Sequence, residues 1–273
     1  MTTPKLGIVA GRGSLPSRVI AACRDAGRPH FVVAFEGITE ADAIAAAPHA
    51  WVRLGAAERT LGLLRTAGVA DVVLAGPVGR PSLARLALDR RALKLALGGR
   101  RGDDGILSRI VREFETEGFR VVGIDDVLVD LVAPAGVLGR HAPDDEAEAD
   151  IAAGLAIAAA LGALDVGQAV VVQEGLALGV EAVEGTDALI ARCAALGRGG
   201  PGGVLVKIKK PGQERRADLP TIGVGTVAAA AAAGLRGIAV EAGETLIVDR
   251  AATVAAADAA GLFLVGIARE TAP

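Results

Sequence analysis

Short apolar segments alternate with helical segments along the first half of the chain, and three of the helical segments end at Gly27, Gly68 and Gly118. The apolar segments cover residues 5–10, 31–35, 71–75 and 120–124. Short buried strands separated by helices are typical of a parallel sheet with helices on both faces. We therefore predict an α/β protein whose N-terminal domain, residues 1–132, is a Rossmann-like parallel sheet.

The composition changes between residues 133 and 150. This stretch contains Pro134, Gly136, Gly139 and Pro143, followed by the acidic run 144–146. Such a change is typical of the boundary between two domains. We predict a linker over residues 133–150 and a distinct C-terminal α/β domain, residues 151–273, that carries the catalytic groups.

Charge and composition exclude some classes of protein. The net charge is −3, aromatic residues make up 2% of the chain and tyrosine is absent, so we expect no nucleic-acid partner. No run approaches the roughly 20 strongly apolar residues of a spanning helix, and residues 5–10 are too short for a signal peptide. Cys23 and Cys193 lie in apolar helical stretches, which predicts buried thiols in a reducing compartment.

A glycine turn follows the first predicted strand. Gly11 and Gly13 lie between that strand and a helix, where glycine permits a close approach to the backbone and the helix N-terminus favours an anion. Pro16 occupies the place of the third glycine of a dinucleotide fingerprint. The turn therefore predicts a nucleotide or phosphate site rather than an NAD site, with a tight turn without a ligand as the alternative.

Other charged groups lie at loop positions where ligands of α/β sheets gather. Arg80 follows the third predicted strand and is a candidate phosphate ligand, or else a solvated arginine. Asp103 and Asp104 precede a helix. They either cap this helix or serve as ligands of Mg²⁺. Asp187 is a further carboxylate candidate for a metal, although the pair Thr186-Asp187 is also suited to starting a helix.

Residues 207–216 contain five cations, including Lys207 and Lys210, the two that we take as candidate catalytic groups. Such a cluster is usually solvated, but beside a rigid proline-glycine segment it suits the clamping of a diphosphate. Asp218 follows directly. A carboxylate beside cations can orient water or hold a metal, so Asp218 is the main catalytic candidate, with an ordinary turn residue as the alternative.

At these positions the chain resembles the UDP-2,3-diacylglucosamine pyrophosphatases of lipid A biosynthesis, of the type unrelated to calcineurin-like metallophosphoesterases. The resembling segments are residues 8–16, 76–81, 102–104, 164–169, 183–187, 210–213, 218–223 and 241–243. The resemblance implies Mg²⁺-dependent hydrolysis of UDP-diacylglucosamine to UMP and 2,3-diacylglucosamine 1-phosphate, with Asp218 as the essential aspartate. It also implies a cytoplasmic protein that is peripheral on the inner membrane.

The resembling segments add candidate substrate contacts in the second half of the chain. These candidates are Gln168, Thr186, Gln213 and Thr221. Two other functions stay open at this point: a non-catalytic regulator that binds a uridine nucleotide, and a nicotinamide-dependent oxidoreductase. The oligomeric state also stays open, with a homodimer among the alternatives.

Overall fold

A computed structural model of the chain describes residues 3–79, 87–98 and 103–269, without the side chains of residues 103 and 104. The chain divides into two compact units. Unit 1 comprises Met1–Val129 and Glu214–Asp218, and unit 2 comprises Asp130–Gln213 and Leu219–Pro273. Both units are α/β, as the sequence predicts.

Unit 1 contains a parallel sheet of five strands in the order β3-β2-β1-β4-β5. The strands are β1 (Leu6–Ala10), β2 (His30–Phe35), β3 (His49–Val52), β4 (Asp71–Ala75) and β5 (Arg120–Val121). The four predicted strands are confirmed as members of one parallel sheet. The sequence pattern misses β3, which lies at the edge of the sheet and is only partly buried.

Helices accompany this sheet and complete its core. They are α1 (Leu15–Asp25), α2 (Ala41–Ile44), α3 (Ala57–Thr66), α4 (Arg90–Leu97), α5 (Asp103–Thr116) and α6 (Ile124–Val127). Val33, Leu64, Val72 and Val111 are fully buried in one apolar cluster of this unit. Burial of that surface holds the carboxyl ends of β1 and β4 in fixed positions.

Unit 2 contains a mixed six-stranded sheet in the order β6-β13-β11-β9-β7-β8. Its strands are β6 (Gly136–Val137), β7 (Ala169–Gln173), β8 (Leu176–Val180), β9 (Val204–Lys207), β11 (Gly237–Glu241) and β13 (Phe263–Ile267). A separate pair joins β10 (Thr221–Ile222) to β12 (Leu246–Ile247). The helices of this unit are α7 (Asp145–Ala163), α8 (Thr186–Cys193), α9 (Val224–Ala232) and α10 (Arg250–Ala260).

The strand directions bring polar residues to one edge of this sheet. β9, β11 and β13 are parallel, so their carboxyl ends share an edge. β7 is antiparallel to β9, so the start of β7 lies at that same edge, with Ala169 opposite Lys207. Apolar clusters cover the sheet, one of them built with α7.

Residues 133–150, the predicted linker, are part of the fold of unit 2. They contribute β6, which pairs with β13, and the start of α7. Asp144 caps this helix by accepting a hydrogen bond from Ala147 N at 2.9 Å. Proline, glycine and acidic residues here form an edge strand and a helix cap, features that share their composition with linkers.

Candidate functional site

Lys207 is a buried lysine at the carboxyl end of β9. Its side chain is directed into unit 2, and the residue is only 6% exposed. The ammonium group donates hydrogen bonds to Thr186 Oγ1 at 2.9 Å and to the carbonyl oxygen of Thr221 at 3.0 Å. A lysine is rarely buried without such partners, because an unpaired buried charge is costly. Three residues that the sequence singled out, Lys207, Thr186 and Thr221, are therefore neighbours.

Glu181 extends this arrangement and is itself 6% exposed. Its carboxylate accepts a hydrogen bond from the Thr186 hydroxyl at 2.7 Å through Oε1. The other oxygen, Oε2, accepts the backbone N–H of Gln168 at 3.0 Å. We call these five residues, Gln168, Glu181, Thr186, Lys207 and Thr221, the Lys207 network. Its polar residues come from the start of β7, the chain after β8, the start of α8, and β9 and β10.

Gln168 retains capacity for a ligand. Its side-chain oxygen Oε1 is buried and has no hydrogen-bond partner among the residues that the structure describes. Buried polar atoms are normally satisfied, so such an atom calls for a partner that the described residues do not supply. The sequence prediction of Gln168 as a substrate contact is consistent with this atom and stays a prediction.

Lys210 and Gln213 close a turn after β9. Lys210 N donates to Gln213 Oε1, and Gln213 N donates back to the carbonyl oxygen of Lys210, both at 3.1 Å. The ammonium group of Lys210 pairs with Asp165 Oδ1 at 2.7 Å. Lys210 and Gln213 are 7% and 6% exposed, so both side chains are part of the packed turn. The structure thus gives Gln213 a role in the turn, while its contact with substrate stays a prediction.

The cations of residues 207–216 are anchored rather than loosely solvated. Lys209 pairs with Glu244 at 2.8 Å, Arg215 with Asp125 at 2.8 Å, and Arg216 with Glu115 at 2.6 Å. Each guanidinium or ammonium group thereby has a defined direction. An anchored cation loses less freedom when it meets a diphosphate than a solvated one does.

Asp218 lies in the part of this segment that belongs to unit 1. Arg215 donates to Asp125 Oδ2 through Nε and Nη2, and Ala217 packs against the apolar cluster of unit 1. The hydrogen bonds from Arg216 lower the pKa of Glu214, which keeps that carboxylate ionised. Asp218 N donates to the carbonyl oxygen of Glu214 at 3.0 Å, and the Asp218 side chain is half-buried. The sequence assigns Asp218 to the C-terminal domain, whereas the structure groups residues 214–218 with unit 1.

The two glycines of the turn in unit 1, Gly11 and Gly13, differ in their surroundings and backbone conformation. A Cβ at Gly11 would lie 2.2 Å from the carbonyl oxygen of Gly76, because the two loops pass against each other backbone to backbone. Packing alone therefore accounts for a glycine at position 11, and its contact with a ligand stays a prediction. Gly13 has a positive φ of 84° and open space around its Cβ position, and its N–H donates to Glu40 Oε2 at 3.0 Å. A carboxylate thus occupies an anion position at this turn.

The remaining predicted ligands of phosphate or metal are Arg80, Asp103, Asp104 and Asp187. Arg80 lies outside the described residues, as do the side chains of Asp103 and Asp104. Asp187 is exposed in the first turn of α8, which starts at Thr186 as the sequence allows. Across the described residues, no three His, Cys, Asp or Glu side chains are grouped so that they could hold a metal ion.

The sequence shows Glu181 as one of several polar residues at the ends of apolar runs but gives it no role, and it does not single out Asp125. Both follow strands as polar residues near the end of an apolar run, which is the only signal that the sequence offers. Their importance comes from burial and from their partners, which depend on the register of strands distant in sequence. Asp125 also has a buried oxygen, Oδ1, that lacks a hydrogen-bond partner among the described residues.

Comparisons with known proteins agree over nearly the whole chain. Residues 5–131 match the LpxI N-terminal domain, and residues 134–265 match the LpxI C-terminal domain. A protein of Caulobacter vibrioides named UDP-2,3-diacylglucosamine pyrophosphatase LpxI is 43% identical over 279 residues, which cover 98% of this chain and 99% of that protein.

Likeness to solved structures is weak. The biotin carboxylase domain of Hydrogenobacter thermophilus 2-oxoglutarate carboxylase is 14% identical, with a TM-score of 0.29 over 63% of this chain and 35% of that chain. The biotin carboxylase subunit of pyruvate carboxylase is 16% identical, with a TM-score of 0.28 over 62% of this chain and 35% of that chain. Neither value supports an inference about function.

Proposed function

This chain belongs to the LpxI family, and we propose that it hydrolyses the diphosphate of UDP-2,3-diacylglucosamine to UMP and 2,3-diacylglucosamine 1-phosphate. The observation that carries the proposal is the 43% identity to a pyrophosphatase of that name over 98% of the chain. Of the three functions that the sequence leaves open, the family assignment favours the hydrolase over the nucleotide-binding regulator and the oxidoreductase.

The reaction adds water to one phosphorus atom. The bond from that phosphorus to the bridging oxygen breaks, and the bridging oxygen takes the electron pair. Negative charge develops on the phosphoryl oxygens and on the leaving oxygen, so fixed cations lower the barrier. In our proposal Lys207 and Lys210 supply such cations, and the Asp218 carboxylate orients the water and accepts its proton.

The substrate contacts are also part of the proposal. Thr186, Thr221 and Gln168 belong to the Lys207 network, and the unpartnered oxygen of Gln168 supports a contact with a ligand donor. Gly13 remains the candidate for the uridine nucleotide in unit 1, because its N–H already binds a carboxylate oxygen. Gly11 also stays a candidate contact of the nucleotide, although its packing against the loop at Gly76 already requires a glycine there.

We also propose Mg²⁺ as the cofactor. Mg²⁺ commonly uses one or two carboxylates and completes its shell with substrate phosphates and water. The described residues contain no closed three-ligand group. We propose Asp218 as one carboxylate ligand, and Asp125 is a further candidate because its Oδ1 atom is buried without a partner among those residues. When bound, the ion would polarise a phosphoryl oxygen.

The test is release of UMP from UDP-2,3-diacylglucosamine by the purified protein, followed by chromatography. Treatment with EDTA should abolish release, and Mg²⁺ should restore it. Absence of UMP in the presence of Mg²⁺ would rule out the pyrophosphatase. Full activity in EDTA would leave the hydrolase in place and remove the metal from the proposal.

The substrate also bears on location. No helix among the described residues is long and apolar enough to cross a membrane. Because the acyl chains of the substrate stay in or near the bilayer, we propose that the protein associates peripherally with the cytoplasmic face of the inner membrane. Extraction from membranes by high salt or carbonate would support this location, and resistance to both would contradict it.

A further inference from the structure

Glu181 is a buried carboxylate to which neither the family match nor the sequence pattern gives a role. Both of its oxygens accept hydrogen bonds, from the Thr186 hydroxyl at 2.7 Å and from Gln168 N at 3.0 Å. An ionised carboxylate only accepts hydrogen bonds. The Thr186 hydroxyl must therefore direct its single proton towards Glu181.

This direction has a consequence for Lys207. With its proton committed to Glu181, Thr186 Oγ1 presents a lone pair to the Lys207 ammonium group at 2.9 Å. The carbonyl oxygen of Thr221 accepts a second hydrogen bond from Lys207 at 3.0 Å. Two of the three N–H directions of the ammonium group are thereby fixed.

Glu181 also holds the backbone beside Lys207. The N–H of Gln168 binds the carboxylate, and the carbonyl oxygen of Gln168 accepts the N–H of Ile208 at 3.0 Å. Ile208 directly follows Lys207. The carboxylate is therefore connected to Lys207 along two routes, one through Thr186 to its side chain and one through Gln168 to its neighbouring backbone.

We propose that Glu181 is a positioning residue that fixes the direction of the Lys207 ammonium group through the Thr186 hydroxyl. The proposal rests on the proposed function, in which Lys207 stabilises charge on the diphosphate. A cation held in advance costs no reorganisation when charge develops, whereas a mobile one does.

Glu181→Gln is the first variant. The amide group keeps the size of the carboxylate, but one of its two oxygen positions becomes an NH₂ donor. If the NH₂ faces Gln168, two donors meet. If it faces Thr186, the Thr186 hydroxyl must accept from it and turn its own proton away. We expect kcat to fall about tenfold to a hundredfold, the range for groups that orient a directly acting one, while KM changes less than about threefold. Thr186→Val should have the same effect, and Thr186→Ser, which keeps the hydroxyl, should restore most of the rate.

Asp150→Asn is the matched control. Asp150 is a buried carboxylate of the same unit that accepts two backbone N–H groups, from Glu174 at 3.2 Å and Gly175 at 2.7 Å. These follow β7, at the end opposite to the one that pairs with Lys207. Asp150→Asn should lower the melting temperature and leave kcat unchanged.

The deciding measurement repeats Glu181→Gln in a Lys207→Met background. If Glu181 acts through Lys207, the second substitution should not lower kcat further, since coupled residues are not additive. A further tenfold loss would show a structural role and overturn the proposal, as would an unchanged kcat in Glu181→Gln alone. If Lys207→Met keeps the wild-type kcat, or if the wild-type protein releases no UMP, the failure lies in the proposed function, and the positioning role falls with it.

A measurement without turnover covers the case in which a variant folds poorly. In protein labelled with ¹³C at lysine Cε, the Lys207 signal, assigned by its loss in Lys207→Met, reports the surroundings of the ammonium group. It should shift in both Glu181→Gln and Thr186→Val and stay in place in Asp150→Asn. An unmoved signal in both network variants would overturn the proposal.

Discussion

The carboxylate of Asp218 lies on a turn that its neighbours fasten to unit 1. Arg215 binds Asp125, Arg216 binds Glu115, and Ala217 packs into the apolar cluster. Cation density and a resemblance to a family could single out Asp218 from the sequence. The anchoring of the turn could not be predicted, because Asp125 and Glu115 are distant from it in sequence.

Asp218→Asn tests the proposed role of this carboxylate. Asparagine keeps the shape but lacks the negative charge, so we expect kcat to fall at least about a hundredfold, the low end of contributions from acid–base groups. The control is Asp42→Asn, which alters an exposed carboxylate of the same unit. Fluorescence of Trp51, the single tryptophan and a residue of unit 1, checks that the variant is folded. Turnover near the wild-type rate in a folded Asp218→Asn protein would remove Asp218 from the mechanism.

Glu40 gives a second residue-scale prediction. Its carboxylate accepts the Gly13 N–H, so a phosphate that binds there must displace a group of the same charge. Glu40→Ala should therefore strengthen UMP binding, by about threefold to tenfold if one charge-assisted hydrogen bond is in competition. Glu36→Ala, at an exposed carboxylate after β2, is the control. Calorimetric titration showing no gain in Glu40→Ala would place the nucleotide away from Gly13.

Substitution of Gly13 by valine is a poor test of ligand binding, although the sequence alone suggests it as a way to fill the space of a ligand. The φ of Gly13 is 84°, which strains any L-residue and a branched side chain most of all. A loss of binding in a valine variant would therefore not distinguish lost contact from a distorted turn.

At the scale of elements, α7 shows how composition indicates packing without giving its geometry. The alanine-rich pattern of residues 150–161 predicts a helix there, and the structure has one that begins five residues earlier, at Asp145. Gly154, Ala158 and Gly162 are buried on one side of this helix. A Cβ at Gly154 would lie 2.4 Å from Val206 Cγ2, so the absence of a side chain lets α7 approach β9. This contact could not be inferred before the strand beneath the helix was known.

Gly154→Val should therefore destabilise unit 2. The added methyl groups must displace Val206 or the helix, and overpacking of this kind costs about 1–3 kcal/mol. Ala156→Val places the same residue on the exposed side of α7, where we expect about 0.5 kcal/mol from helix propensity alone. Denaturant unfolding followed by circular dichroism compares the two. Equal stability of both variants would show that the helix moves away from the sheet at no cost.

At the scale of the whole molecule, the α/β class and most of the sheet members could be predicted, because buried parallel strands form continuous apolar runs. The strands that were missed have specific reasons. β6 and β10 have two residues each, too few to show any period, and β13 is an apolar run that a buried helix would also show. The division into units could not be predicted fully either, since residues 214–218 return to unit 1 from within the second half of the chain.

Asp71 connects the stability of unit 1 to pH. This carboxylate is 2% exposed and accepts hydrogen bonds from Arg120 at 2.7 and 2.8 Å and from Arg28 at 2.5 Å. The hydrogen bond from Arg120, together with the charges of both arginines, outweighs burial and lowers the pKa of Asp71. Through these hydrogen bonds, Asp71 connects the start of β4 to Arg120 at the start of β5 and to Arg28 in the chain before β2.

Because the pKa of Asp71 is lower in the folded than in the unfolded protein, the unfolded state binds the proton more readily. The contribution of Asp71 is therefore complete above the unfolded pKa of about 3.9 and is lost as the pH falls through the folded pKa. Asp71→Asn should destabilise unit 1 by about 1–3 kcal/mol at neutral pH, as expected for a buried acceptor of charged donors. The difference from wild type should shrink below about pH 4. Melting curves followed by Trp51 fluorescence from pH 7 to pH 2.5 measure this difference, with Asp42→Asn as the control.

Arg216 lowers the pKa of Glu214 as well, so the wild-type protein loses stability in acid from more than one group. Only the difference in stability between wild type and Asp71→Asn isolates the contribution of Asp71. A difference that stays constant over this range would show that Asp71 acts through packing and not through its charge.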